Sequence, residues 1–194
     1  MTAGSGVTHT ERSHPDDLAI SRGIHGIQTW VALPDEAEEG KPSFVHAPES
    51  EIPFDTLGRS TVRVAAGSGW GLDSPVTGSS PLILAEVTLD ASSPLPMGSD
   101  LTERSVLALE GDVWVNDERI ASGQLVVLRS GATVTLSGSG TALILGGEPV
   151  GKRHIWWNFV HSDLDRIEQA KSDWLEQRFP IVPDDHDPFV PLPA

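Results

Sequence analysis

The sequence has no cysteine and few basic residues, and each deficit excludes a class of function. Without cysteine the chain forms no disulfide and no thiolate metal site, and it has no Cys nucleophile. Lys and Arg number 13 against 28 Asp and Glu, and the net charge of −15 disfavours binding to nucleic acid or to an anionic membrane. Because cysteine-free chains suit a reducing compartment, we expect a cytoplasmic protein.

Long apolar runs are also missing. No stretch approaches the roughly 18 consecutive apolar residues that a membrane-spanning helix requires. Residues Met1 to Gly6 have neither the basic nor the apolar region of a signal peptide. We therefore expect neither a membrane span nor a secretory leader.

Short strands separated by glycine, proline and acidic turns dominate the sequence. Apolar and β-branched residues recur with strand-like spacing over His25–Leu33, Ser60–Ala66 and Leu82–Leu89. Several shorter runs follow between residues 104 and 145, a spacing typical of an antiparallel sandwich or small barrel. In that region we predict a turn at Glu110–Asp112, and separate strands at Thr133–Leu136 and Ala142–Leu145.

A single helix is predicted near the end of the chain, from about Ser162 to Arg178. Ser162 and Asp165 have the spacing of a capping box at its start. The acidic run Asp35–Gly40, by contrast, is typical of a solvated loop. The predicted apolar face of the helix consists of Leu164, Ile167, Trp174 and Leu175.

His9-Thr10-Glu11 is the local pattern with the clearest chemistry. On a strand, residues two apart point to the same face, so His9 and Glu11 would present an imidazole and a carboxylate to one space. These donors suit Fe(II), Mn(II), Zn(II) or Ni(II). The spacing is weak by itself, and a surface pair is the simpler interpretation of His9 and Glu11 taken without context.

Motifs along the whole chain supply that context, because in order they resemble the pirin family. The segment from Thr2 to Glu11, with Ala3-Gly4, Gly6, His9 and Glu11, resembles the one that closes the family's N-terminal cupin. Further matching segments are Gly26–Pro34, Arg63–Gly67, Ser74–Val76, Gly146–Pro149, Trp156–Val160, Asp173-Trp174, Arg178-Phe179 and Phe189–Pro193.

The resemblance implies a mainly β fold of the cupin (RmlC-like jelly-roll barrel) type with a C-terminal α-helix. It further implies one complete C-terminal cupin at 76–150 and a remnant of an N-terminal cupin with interdomain strands at 1–75. A helix and proline-rich tail would occupy 151–194. The second cupin contains no histidine and is interpreted as structural.

The family resemblance also implies a metal, usually iron, bound by three His and one Glu. His9 and Glu11 match two of these ligands, and Glu11 is then also a candidate general base. The H-x-H pair that supplies the other two has no counterpart in this sequence. We expect a chain that begins within the first cupin, with no tightly bound metal and no catalysis by itself.

Two functions remain open for the parent protein. It resembles metal-dependent dioxygenases of the quercetin 2,3-dioxygenase type, and it also resembles non-enzymatic regulatory modules that contact other proteins. An incomplete barrel would favour self-association as well. The other histidines, at 14, 25, 46, 154, 161 and 186, have no ligand spacing and are interpreted as hydrogen-bonded or exposed.

Overall fold

The computed structural model describes residues 1–13, 15–16, 26–98, 100–185 and 189–193. They divide into a central unit, Val45–Pro149, and a flanking unit built from both ends of the chain, Met1–Phe44 and Val150–Ala194. These units are groups of residues in mutual contact and do not define sequence domains. The domains predicted at 1–75, 76–150 and 151–194 therefore stay a prediction.

The central unit is one antiparallel sheet, in which the strand order is β1-β2-β4-β9-β6-β7. Three further strands attach at its sides: β3 pairs with β2, β5 with β9, and β8 with β6. A 3-10 helix at Glu49–Glu51 precedes the sheet. The strands are β1 Phe54–Leu57, β2 Ser60–Gly69, β3 Leu72–Asp73, β4 Leu82–Thr88, β5 Leu95–Met97, β6 Glu103–Val115, β7 Glu118–Ile120, β8 Leu125–Val127 and β9 Val134–Gly147.

Strand β9 organises this sheet because it pairs along its whole length. Its second half lies between β4 and β6, with Ala142 opposite both Val87 and Ala108. Its first half lies between β5 and β6, with Leu136 opposite both Leu95 and Val115. Strand β9 thus joins β4, β5 and β6 into one sheet.

Alternating side chains of these strands form the core. Val62 and Val64 of β2 are buried, and so are Ile83, Ala85 and Val87 of β4, which is the period of two expected of strands that cover a core with one face. The mainly β prediction and the strands predicted at Ser60–Ala66 and Leu82–Leu89 are confirmed.

Two predictions within the sheet place an interruption where a strand continues. The turn predicted at Glu110–Asp112 lies inside β6. The strands predicted at Thr133–Leu136 and Ala142–Leu145 are confirmed from Val134 onward, but they belong to one continuous strand, β9. A register shift between Ala108 and Glu110 and a positive φ of 72° at Gly111 bend β6 without ending it. Glycine here permits an irregularity within a continuous strand.

The described residues of the flanking unit form few regular elements. It contains the hairpin of β10 (His154–Trp156) and β11 (Phe159–His161), the helix α1 (Leu164–Leu175), and a 3-10 helix at Asp35–Ala37. The strand predicted over His25–Leu33 is wrong for 26–33, which have no strand partner among the described residues, and His25 lies outside them. In the described part of the chain, no helix is long and apolar enough to span a membrane.

Helix α1 is shorter than predicted and is capped differently. Asp163, not Ser162, is the N-cap: its carboxylate accepts a 2.9 Å hydrogen bond from the Asp165 N–H. Of the predicted apolar face, Ile167 is buried, whereas Leu164 and Leu175 are exposed. The predicted capping box is therefore wrong, because the Ser162 hydroxyl has another partner, described below.

Candidate functional site

The segment that leads to His9 and Glu11 is hydrogen-bonded, near its start, to residues 40–43. Thr2 and Ser43 exchange two backbone hydrogen bonds of 2.8 and 3.0 Å, and the Ser5 N–H donates to the Gly40 carbonyl at 2.8 Å. Gly4 has a φ of 51° and lies so close to Gly40 that a Cβ would overlap its carbonyl oxygen. Only glycine fits there, which fixes the direction in which the chain continues toward His9.

His9 and Glu11 themselves are exposed and lie outside any strand. The same-face argument for strand residues therefore does not apply to them. Both nevertheless line one cavity of about 680 Å³ in the flanking unit, together with other residues between Met1 and Arg12. The two predicted site residues therefore line the same cavity.

Aromatic rings form much of the rest of this cavity. Trp174 of α1 is central to the cluster: its ring centroid lies 5.2 Å from that of Trp157 and 4.9 Å from that of Phe189. Phe159 and Phe179 stack with centroids 5.9 Å apart. The residues that carry these five rings all line the cavity.

A buried ion pair joins the acidic loop to Arg153, next to the hairpin. The prediction of a solvated loop holds for Asp35, Glu36 and Glu39, which are exposed, and is wrong for Glu38. Glu38 is only 5% exposed, and its carboxylate lies 2.9 Å from the Arg153 guanidinium, which is 6% exposed. The N–H and hydroxyl of Ser162 also donate to Glu38, at 2.8 and 2.5 Å. Because the pair is buried and multiply hydrogen-bonded, removing either partner would leave an uncompensated charge.

Helix α1 is connected to the same loop and to the N-terminal segment through Arg166. Its Nε donates to the Glu39 carboxylate at 2.7 Å, and its second terminal nitrogen donates to the Ser5 carbonyl at 3.1 Å. On the cavity wall, Asp185 holds Arg12 at 2.5 Å and raises the pKa of that guanidinium through their hydrogen bond. The cations near His9 and Glu11 are thus neutralised by carboxylates.

Two polar atoms of the cavity residues are shielded from solvent and lack a hydrogen-bond partner among the described residues: Thr8 Oγ1 and His161 Nε2. His161 Nδ1 accepts a 2.9 Å hydrogen bond from the Asp163 N–H, so the neutral ring carries its proton on Nε2. The carboxylates of Glu39 and Glu38 lie 3.3 and 3.6 Å from Nε2, but neither meets the geometry of a hydrogen bond.

The donors do not fit a complete metal site. In the portion of the chain that the structure describes, no three His, Asp or Glu side chains are placed to hold a metal ion. Sites of this kind usually have at least three protein ligands, and His9 and Glu11 provide two. Among the other histidines, His46 is exposed, His154 pairs with His161 across the hairpin, and those at 14, 25 and 186 lie outside the described residues.

Sequence analysis missed Thr8, His161 and the aromatic cluster as parts of this site. The dense aromatic run at Trp156–Phe159 and the rings of the tail were the available signal for the cluster. Nothing local marks Thr8 or His161, because only folding brings them to the same cavity.

Comparisons with known proteins agree with the cupin fold. Residues 84–180 match the family model of the pirin C-terminal cupin domain. A pirin-like protein of Caulobacter vibrioides is 41% identical over 197 residues, which cover 100% of this chain and 68% of that protein. A Pseudomonas aeruginosa protein provisionally named a quercetin 2,3-dioxygenase is 35% identical over 181 residues, covering 91% of this chain and 56% of that one.

A solved structure of a related protein also supports the cupin fold. The crystal structure of quercetin 2,3-dioxygenase from Acinetobacter baumannii aligns with a TM-score of 0.75 at 27% identity, covering 85% of this chain and 57% of that one. The chain thus spans between 56% and 68% of the length of these three proteins. It has a mainly β cupin fold with a C-terminal helix, and it belongs to the pirin family.

Proposed function

We infer that the cavity of the flanking unit binds an oxygenated planar aromatic compound of the flavonol type, such as quercetin. The observation that carries this proposal is the position of His9 and Glu11 on the wall of a cavity lined by five aromatic rings. Aromatic faces stack on flat rings, and the histidine and carboxylate provide hydrogen-bonding groups. The names of the Pseudomonas and Acinetobacter relatives agree with this ligand class.

The reaction proposed for the assembled protein is that of a metal-dependent quercetin 2,3-dioxygenase. His9 and Glu11 are proposed as two ligands of a divalent transition metal, iron in the first place, whose remaining ligands are not among the described residues. Glu11 is the proposed general base for a flavonol hydroxyl proton. We propose that these 194 residues alone, as a truncated pirin, hold metal weakly and are catalytically incompetent.

Anaerobic Fe(II) titration by calorimetry tests the metal ligands. It compares the 194-residue chain with a chimera to which any residues of the Caulobacter protein that precede the matched segment are added on the N-terminal side. We expect weak binding by the chain, tight binding by the chimera, and a loss of at least tenfold in His9→Ala and Glu11→Ala chimeras. Thr10→Ala, which changes the exposed residue between them, is the matched control.

The same chimera tests the reaction through oxygen consumption with quercetin. Turnover by the chimera and none by the 194-residue chain is the expected result. Metal affinity that is unchanged by His9→Ala would overturn the ligand assignment. Turnover by the short chain at the rate of the chimera would overturn its proposed incompetence.

A second candidate is a non-enzymatic, cytoplasmic interaction module, favoured by exposed apolar side chains of the flanking unit. Trp30 is 55% exposed and Phe44 is 76% exposed. Single exposed apolar residues are common, but this unit has many of them. If the surface joins two copies of the chain, sedimentation velocity will detect a dimer that Trp30→Ser weakens. A monomer at all concentrations would contradict this candidate.

A further inference from the structure

We propose that strand β8 is a dimerisation edge, at which two copies of the chain join their sheets by antiparallel pairing of β8 with β8. The observation that carries this proposal is an accessible strand edge without charge or proline, whose free backbone groups complement those of an identical strand. The edge belongs to the central unit. The inference is therefore independent of the cavity and its ligand, and of the exposed residues of the flanking unit.

The pairing of β8 with β6 determines which backbone groups of β8 are free. The Leu128 N–H donates to the Arg104 carbonyl at 2.8 Å. Because hydrogen-bonded residues alternate along an antiparallel pair, the N–H and C=O of Val126 also point to β6. Leu125 and Val127 therefore direct their N–H and C=O groups away from β6, and these groups have no backbone partner among the described residues.

The free edge is open to solvent and uncharged. Leu125 is 52% exposed and Val127 is 73% exposed. The residues of β6 directly opposite them are Leu107 and Ser105, which carry no charge either. An incoming strand would thus meet unpaired backbone groups flanked by apolar side chains.

The other strands of the central unit that have a single partner are protected against such pairing. The protecting residues are Asp55 in β1, Asp73 in β3, Pro96 in β5, and Glu118 and Arg119 in β7. Charges and prolines on edge strands are common means of preventing strand addition. Among the single-partner strands that the structure describes in this unit, β8 has neither.

A second copy of the chain is the partner that this edge fits. A two-fold axis through Val126 places Leu125 of each copy opposite Val127 of the other, so both N–H and both C=O groups of each edge are paired. Leu125 and Val127 are then also cross-strand neighbours. Because the net charge is −15, copies repel each other, and an uncharged edge is where they approach at least cost. A strand of 3 residues gives a small interface, so the dimer should be weak and reversible.

Sedimentation velocity of the 194-residue chain, over a series of concentrations, tests the proposal. Val127→Pro removes an N–H that is free within the chain and leaves the bonds of β8 to β6 in place. Val127→Thr is the matched control, because it keeps both this N–H and a branched side chain. We expect a reversible dimer for the unmodified chain and for Val127→Thr, and a dimer weakened by at least roughly 10-fold in Val127→Pro.

A second variant, Leu125→Lys, places a charge on the edge without removing an N–H. It lowers the net negative charge of each copy, so greater repulsion between whole chains could not explain a loss of the dimer. We expect Leu125→Lys to weaken the dimer as well. Both substituted side chains are exposed, and thermal unfolding monitored by circular dichroism should confirm that the variants fold.

Amide hydrogen exchange followed by NMR identifies the edge directly. The N–H groups of Leu125 and Val127 should become protected as the protein concentration rises. The N–H of Val126 should be protected at every concentration, because it bonds to β6. This alternation is not expected from a dimer that forms elsewhere on the chain.

The possible outcomes separate this inference from the proposed function. A monomer at all concentrations would overturn the inference, and so would a dimer that persists in both Val127→Pro and Leu125→Lys. A dimer that Trp30→Ser dissociates and the β8 variants do not would overturn it too, and would place the interface on the flanking unit. None of these results changes the proposed binding of quercetin or iron, because neither involves β8.

Discussion

The two units of this chain are stabilised by different interactions. Among the residues that the structure describes, all buried apolar side chains except Ile167 and Ala170 belong to the central unit, where strands bury one face. The flanking unit relies on the buried pair of Glu38 and Arg153 and on contacts between aromatic rings. Its large exposed apolar residues are Met1, Ile27, Trp30, Val31, Phe44, Ile155, Leu164, Leu175, Ile181, Phe189 and Val190.

The difference shows how each unit gains its stability. Burial of apolar surface is not directional and contributes about 25 cal/mol per Å², so the central sheet gains stability from every strand. The flanking unit uses directional ion pairs, of which the buried pair of Glu38 and Arg153 is the clearest. Because such a pair depends on both of its partners, the flanking unit should be sensitive to single substitutions of charged residues.

The largest loss of stability is expected for Arg153→Met, which tests the role of the ion pair in the flanking unit. The substitution leaves the Glu38 carboxylate buried without its cation, and loss of one partner of such a pair costs about 3–5 kcal/mol. Hydrogen exchange followed by mass spectrometry reports each unit separately, and it should show loss of protection in flanking-unit peptides above all. The double variant Glu38→Gln with Arg153→Met removes both charges and should recover much of the protection. A double variant as unstable as the single one would show that charge is not the cause.

Leu136→Ala tests the central unit in the same way. Leu136 is 0% exposed in β9, and deletion of a buried leucine side chain costs about 2–5 kcal/mol in the free energy of unfolding. The matched control is Leu175→Ala in α1, which is 65% exposed and should change stability very little. Urea unfolding monitored by circular dichroism measures both. Equal losses of unfolding free energy in the two variants would mean that Leu175 is covered in solution. The two units would then differ less in their burial of apolar side chains than the structure indicates.

A smaller effect is expected at the start of α1. Asp163→Ala removes the side-chain acceptor for the Asp165 N–H and should cost about 1 kcal/mol, whereas Asp163→Asn keeps an acceptor and should be nearly neutral. Thermal unfolding monitored at the helix signal compares the two variants. If alanine and asparagine behave alike, Asp163 does not cap the helix in solution.

The N-cap illustrates what the sequence could and could not predict. Ser162 has the spacing of a capping residue, but its hydroxyl donates to Glu38, far away along the chain. Strands β2 and β4 were predictable because the burial of each residue follows the local alternation of apolar and polar side chains. Gly111 was misinterpreted as a turn because only its pairing partner in β9 distinguishes a bend within a strand from the end of one.

The candidate site was predictable to the same limited extent. His9 and Glu11 could be selected because their motif is local. The burial of Glu38 depends on Arg153, and the chemistry of His161 depends on Asp163 and on neighbours from distant segments. Composition suggested that the acidic loop is solvated, but Glu38 is buried because it pairs with the buried cation of Arg153.

The smallest expected effect concerns a carboxylate of the central unit, Glu148. Thr102 donates to the Glu148 carboxylate from its N–H at 2.9 Å and from its hydroxyl at 2.6 Å, and these bonds lower the pKa of Glu148 below the ordinary 4.5. A lowered folded-state pKa means that the stabilisation is present above the unfolded-state pKa and is lost as the pH falls through the folded-state value. Glu148→Gln should therefore flatten the acid limb of the stability profile slightly and leave neutral stability almost unchanged. Unfolding in urea at a series of acidic pH values measures it, and a profile identical to that of the unmodified chain would show that the Thr102 contact does not persist in solution.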